Sequence, residues 1–450
     1  MGANMMISQI KPDVSGFSVL TEEDLQQLTA AMKLAVERAE ASAPGIQGFA
    51  REKADSAAEA VRFLLAQRHR ALASGLPDSD SRYYHLLNRK LTRLMAVFVA
   101  LFRAEPGYLF GLADTHPQVL LWVLSSAEID PLDPSAARLS LLLADKLQPQ
   151  AWLETVSLAT STQLIETLQS AAISPIPQSE LAMRALVRRH ELNTEFATKC
   201  IREGSTKVSH MARHQLACSG HEAGMNWVIE HGDPAQSLFT HLLIRKDKVA
   251  WLRGDILPQK EAFQQVDEYA IVNRLPESFT LPDFANDKHA YLKAALAGDP
   301  LAVEPMIEAL FSAQDEVEQE QWLSAIFLIL GEQMPVRVAD LGVKYNAQQA
   351  AELLMHWWQD LEHEAVQVPM MRMGGALSYA TSLDVLKSPS MPALFRTWVW
   401  RDLCLNGGIY VPYDPMSWPE KQRRAIYTLS KNSTASERYN QRMRDAAVGR

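Results

Sequence analysis

ATKCIREGS (197–205) and MNWVIEHGD (225–233) stand 28 residues apart and share one shape. In each, a short apolar stretch runs into Ile-x-x-Gly and then into a Ser or Asp of the kind that starts a helix. Two helix ends alike by chance would say nothing about architecture, whereas a repeat would decide most of it. Around the first, AMRALVRRHELN (182–193) followed by TEFATKCIREGS (194–205) reads as helix, turn, helix, cap. TKVSHMARHQLACSG (206–220) followed by HEAGMNWVIEHGD (221–233) reads the same way. Ile201 then matches Ile229, and Gly204 matches Gly232. A third instance, GDPLAVEPMIEALFSA (298–313), places Met306-Ile307-Glu308 under Val228-Ile229-Glu230, and EQEQWLSAIFLILGE (318–332) supplies the helix that follows.

The punctuation agrees with stacked helical hairpins. Loops are expected at Pro117, DPLDP (130–134), SPIPQ (174–178), GHEAG (220–224) and the two GDP triplets at 232–234 and 298–300. In such a triplet Gly ends one helix in the left-handed conformation, Asp caps the next, and Pro fills its first turn. A short helix pair cannot bury its apolar stripe alone, so neighbours must stack. The expected fold is all-α: a HEAT-like helical-hairpin solenoid over 111–333, although 240–290 shows no clean unit.

On the N-terminal side, residues 1–19 read as flexible and 20–110 as a helical region. TEEDLQQLTAAMKLAVERAEAS has a Thr cap, early acidic residues, and Leu25, Leu28, Met32 and Val36 at helical spacing. Two further helices run through 49–74 and 81–105, parted by GLPDSD (75–80). On the C-terminal side, 334–429 holds five of the ten tryptophans, which requires extensive burial and suits a Trp-rich helical cap. Residues 430–450 have few large apolar side chains and read as a mobile tail.

The order of a helix bearing WW (357–358), then MGGALSYATSLDVLKS, then FRTWVWRDLCLNGGIYVPYDPMSWPEKQRR resembles the end of a family of bacterial HEAT-repeat proteins of unknown biochemical function. The resemblance lies in pattern, over about 180–425, and the poor central repeats depart from it. Some members of that family are encoded with type VI secretion systems. The resemblance therefore implies a protein partner drawn from secretion components or effectors, and it carries over no catalytic residues.

A net charge of −9 argues against a general binder of nucleic acid or anionic membrane, since these need a basic excess. Arg188, Arg189, Arg202, Lys207 and Arg213 are the main support for a basic face, and the Arg188–Arg189 pair reads more simply as the wet side of a helix. Three cysteines do not make a disulfide framework and fit a reducing compartment. The longest strongly apolar run, LMAVFVALF (94–102), is far short of the about 20 residues a membrane span needs. No charged-then-apolar signal pattern opens the sequence, so a soluble cytoplasmic protein is expected.

Among candidate chemistry, His210, His214, Cys218 and His221 form the sharpest constellation. On an ideal helix 210, 214 and 218 share a narrow arc away from the Val208, Met211, Ala212 and Leu216 stripe, so they could converge on one metal. Against this, His221 follows Gly220 past the helix end, and HEAGM lacks the second histidine of a zinc-protease helix. His356, Asp360, His363 and Glu364 in MHWWQDLEHE offer an acid–base or metal set, but also suit the wet face of a helix that buries its tryptophans. DEVEQEQ (315–321) fits a helix start, and MGGA (373–376) and NGGIY (406–410) fit turns, not phosphate loops. The expectation is a non-catalytic scaffold or adaptor with protein partners and no cofactor. The alternative is a metal-binding protein or enzyme built on the 210–221 cluster.

Overall fold

Helix starts are set locally by side chains that satisfy the free amides of a first turn. Thr21 opens α1 (Glu22–Glu40): its hydroxyl accepts from the Asp24 amide, and the Asp24 carboxylate accepts from the Thr21 amide. Two long helices follow, α2 (Pro44–Ser74) and α3 (Arg82–Ala104). In α3, Leu87, Leu91, Met95, Phe98 and Phe102 recur at helical spacing and are all buried. The computed structural model describes residues 19–42, 44–365 and 367–448. The stretch 1–18, most of the segment expected to be flexible, lies outside the described residues.

The described residues form two compact units, one within 1–70 and 79–227, the other within 71–78 and 228–450. In the first, α3 is followed by shorter helices: α4 (Gly107–Phe110), α5 (Leu112–Thr115), α6 (Pro117–Leu124), α7 (Ala136–Leu142), α8 (Pro149–Ser157), α9 (Gln163–Ala172), α10 (Ser179–Arg189), α11 (Thr194–Glu203) and α12 (Thr206–Cys218). Helix α8 packs on α6, α10 on α8 and α12 on α10, while α9 packs on α7. Adjacent partners α9 and α10, and α11 and α12, also pack together. One core that includes Leu28, Phe98, Leu120, Trp152, Leu186 and Leu216 joins 20–110 to the helices after it. The boundary expected at 110 is therefore a change in composition, not a break in packing.

α13 (Glu222–His231) leads into the second unit. There follow α14 (Pro234–Ile244), α15 (Lys248–Trp251), a π turn at Leu252–Ile256, a 3-10 turn at Leu257–Ala262, and α16 (Val266–Val272). This broken run coincides with the 240–290 stretch that shows no clean repeat. Next come α17 (Ala290–Ala297), α18 (Val303–Ser312), α19 (Glu316–Leu330) and α20 (Ala347–Ala365). A small hairpin joins β1 (Met371–Arg372) to β2 (Gly375–Ala376) in antiparallel register. Its turn is Met373-Gly374, both at positive φ, so MGGA is indeed a turn. The chain closes with α21 (Tyr379–Lys387), α22 (Ala393–Gly407), α23 (Pro419–Ser430) and α24 (Ser433–Val448).

Helix α22 is the hub of this unit, packing on α14, α16, α17, α21 and α24. Its Phe395, Trp398, Val399, Leu403 and Cys404 are buried in one core with residues from α16 through α24. The expected boundary at 333 lies inside that core. The tail expected to be mobile is instead α24, because Ala435, Tyr439 and Met443, spaced by four, are all buried. Few apolar residues sufficed, since they fall on one face.

The two glycines of the opening stretches behave alike, and not as expected. Gly204 is extended (φ −78°) and donates its amide to Cys200, and Gly232, also without positive φ, donates to Val228. Space is what requires glycine at both: a Cβ would come within 2.6 Å of the Cys200 carbonyl at 204 and of the Val228 carbonyl at 232. The triplet at 298–300 does follow the expected rule. Gly298 is left-handed, Asp299 caps through the Leu301 amide, and Pro300 opens the turn.

Candidate functional site

The histidine constellation does not assemble. His210 and His214 lie one turn apart on α12, and both meet the ring of Trp227, at 4.8 and 6.2 Å between centroids. The guanidinium of Arg213 lies 4.8 Å from the centre of the same ring. Cys218 is half-buried at the end of α12, and His221 is exposed beyond Gly220, whose φ of +80° turns the chain away. Among the described residues no three His, Cys, Asp or Glu side chains gather as a metal ion would require. The spacing argument failed because an aromatic from α13 occupies the face on which the ligands were to converge.

The arginine pair divides. Arg189 is buried and donates to the Val156 and Ala159 carbonyls at 2.7 and 3.0 Å, so it pins α10 to the end of α8 and is no part of a wet face. Lys207 pairs with Glu180 at 3.2 Å, and Arg202 is exposed. On α20, His356 and Asp360 are exposed while Trp358 is buried, the amphipathic arrangement. The side chains of His363 and Glu364 lie outside the described residues. Asp315 caps α19 through the Glu318 amide, which accounts for the acidic start of that helix.

The second unit holds a polar cluster that the sequence did not announce. Asp402, fully buried on α22, accepts from Arg274 at 2.7 Å, Arg372 at 2.8 Å, the Tyr439 hydroxyl at 3.0 Å and the Asn406 amide at 2.6 Å. Arg372, on β1, also donates to Ser382. Arg274 reaches the cluster from the end of α16 in a left-handed conformation (φ 61°), which costs a non-glycine residue about 1–3 kcal/mol. Burial pushes the Asp402 pKa up, but the two guanidinium groups outweigh it and hold the carboxyl below the usual range. Two buried arginines on one carboxylate leave the interior with an excess of positive charge.

That excess continues outward. Lys248, 7% exposed, donates to the Leu405 carbonyl at the end of α22, and burial, with Arg442 nearby, brings its pKa down to about 7. Beside it runs an open groove of about 710 Å³ bounded by the ends of α14 and α22 and by α24. Arg245, Lys248, Arg438, Arg442 and Arg444 line it, against the carboxylates of Glu437 and Asp445. Arg245 is set over the Trp251 ring at 4.4 Å, and Trp251 is stacked in turn on His241. Arg438 and Arg442, one turn apart on α24, make no hydrogen bond or ion pair among the described residues. The helix dipole favours Arg245 at the C-terminal end of α14, whereas α24 has no basic residue in its last turn and Arg438 sits mid-helix. The sequence signal existed: NQRMRDAA places basic residues beside a buried tyrosine, but a helix read as a mobile tail presents no groove.

Compared with protein-family models, with curated proteins and with solved structures, the chain matches none of them. Among the described residues no helix is long and apolar enough to cross a membrane.

Proposed function

We propose that this protein is a non-catalytic scaffold or adaptor whose helical surface binds other proteins. The observation that carries the reading is the succession in the first unit, where α6, α8, α10 and α12 pack one on the next with α7 and α9 beside them. Serial packing of short helices supports a HEAT-like solenoid, and solenoids offer extended surfaces to partner chains. The shared geometry at Gly204 and Gly232 supports the same repeat. The buried aromatic residues of α22 suit a C-terminal cap, although they belong to one core with the helices before them. The resemblance over about 180–425 points the partner toward type VI secretion components or their effectors.

The test is affinity capture by tagged full-length protein from the cytosol of its source organism, with bound proteins identified by mass spectrometry. At about 150 mM salt, where exposed charges beyond about 8 Å are screened, one or two proteins should be retained in stoichiometric amounts, secretion components among them. Retention of nothing beyond a bare-resin control removes the scaffold reading. Retention only of unrelated machinery removes the secretion assignment alone.

A further inference from the structure

The groove beside α24 is chemically out of keeping with its chain. A molecule of net charge −9 presents there five basic side chains against two carboxylates. Three of them are held in place: Lys248 by the Leu405 carbonyl, Arg245 by the Trp251 ring, and Arg442 by partial burial on α24. Fixing a cation before its partner arrives lowers the entropy lost on binding. Asn406, 3% exposed, also lines the groove, and its Oδ1 has no hydrogen-bond partner among the described residues.

Resting on the scaffold reading, we infer that this groove docks an acidic, extended segment of a partner protein. Arg438 and Arg442 stand one helical turn apart, about 5–6 Å between Cβ atoms. Alternate side chains of an extended strand recur at about 6.6 Å. A strand with Asp or Glu at every second position therefore sets successive carboxylates against Arg438, Arg442 and the Lys248–Arg245 wall. Lys248 and Arg442 repel each other, and an incoming carboxylate relieves both. Other anions fit the wall less well. None of the described lining residues is aromatic, so no ring is offered for a base to stack on.

The experiment is fluorescence anisotropy with full-length protein and a fluorescein-labelled (Glu-Ser)5 peptide, beside matched (Lys-Ser)5 and oligo-dT probes. At about 50 mM salt the acidic peptide should bind and the basic one should not, with affinity falling about tenfold by about 300 mM. Arg438→Glu with Arg442→Glu should abolish binding. Arg438→Glu with Arg444→Glu, both exposed, should weaken it at least about tenfold. Arg337→Glu, outside the groove, should leave it unchanged. The inference is overturned if the acidic peptide does not bind, if both groove variants bind as the parent does, or if oligo-dT binds as tightly and is lost in the same variants. A partner captured from lysate equally by parent and groove variants would overturn the groove while leaving the scaffold standing.

Discussion

The Asp402 carboxylate sits between the guanidinium groups of Arg274 and Arg372 with no exposure to water. Removing it leaves two buried cations facing each other, the situation in which breaking an ion pair is most costly. Asp402→Ala should therefore destabilise the second unit by about 3–5 kcal/mol in urea titration at pH 7; a loss below about 1 kcal/mol would mean the arginines find other partners. Because the folded carboxyl titrates below its unfolded value, the stabilisation is complete above about pH 4 and is lost only as pH falls through the lowered value. The gap between parent and variant should then be flat from neutral pH to about 5 and close below about 4. Lys248 has the opposite sign. Its folded pKa of about 7 lies below the unfolded value of about 10.4, so between the two the unfolded chain binds more protons and stability rises with pH. Asp402, Arg442 and the Leu405 carbonyl face this ammonium. Lys248→Met removes the titration. The parent should gain stability relative to this variant between pH 6 and 9, by at most about 1.4 kcal/mol per pH unit. A pH-independent difference would show that the ammonium is hydrated in solution.

Among elements, the interhelical turns separate what local chemistry decides from what packing decides. Gly204 holds room for the Cys200 carbonyl and the Val208 side chain, which a Cβ would approach to 2.6 and 2.7 Å. Gly204→Ala should cost about 1–3 kcal/mol through overpacking. Gly48, exposed within α2 with open space around its missing Cβ, should do the reverse, since Gly48→Ala removes a flexible residue from a helix and gains about 0.5–1 kcal/mol. Thermal melts of the two variants give opposite shifts if sterics rule, and gains for both if helix propensity alone does. The same division explains what could be read in advance. Thr21, Asn193, Ser205, Asp233, Asp299 and Asp315 cap through amides two or three residues away, so helix starts were legible in the sequence. Arg189 was not, because its acceptors are some thirty residues distant, and Asp402 meets Arg274 across 128 positions. An amphipathic count assigns such charges to solvent by default. The histidine cluster erred in the same way, since spacing along α12 carries no word of Trp227.

For the whole molecule, chain order and unit membership part company at residues 71–78. This short segment, the last turn of α2 and the start of the loop before α3, belongs to the second unit. Arg396, fully buried on α22, donates to the Leu72 carbonyl, Arg423 donates to Pro77, and the Leu76 amide donates to Ser388 at 3.0 Å. Leu76 is also part of the core that contains α22. None of these links has a sequence signature, because each joins residues more than 300 positions apart. If the two cores open as separate cooperative units, weakening one should be felt by everything that belongs to it and by little else. Amide hydrogen exchange of the Asp402→Ala variant tests this directly. Protection should fall across 228–448 and also in the 71–78 segment, while α6 through α12 keep the protection they have in the parent. Loss spread evenly over both cores would mean that they unfold as one, and loss confined to 228–448 would mean that Arg396 and Arg423 do not hold the segment in solution.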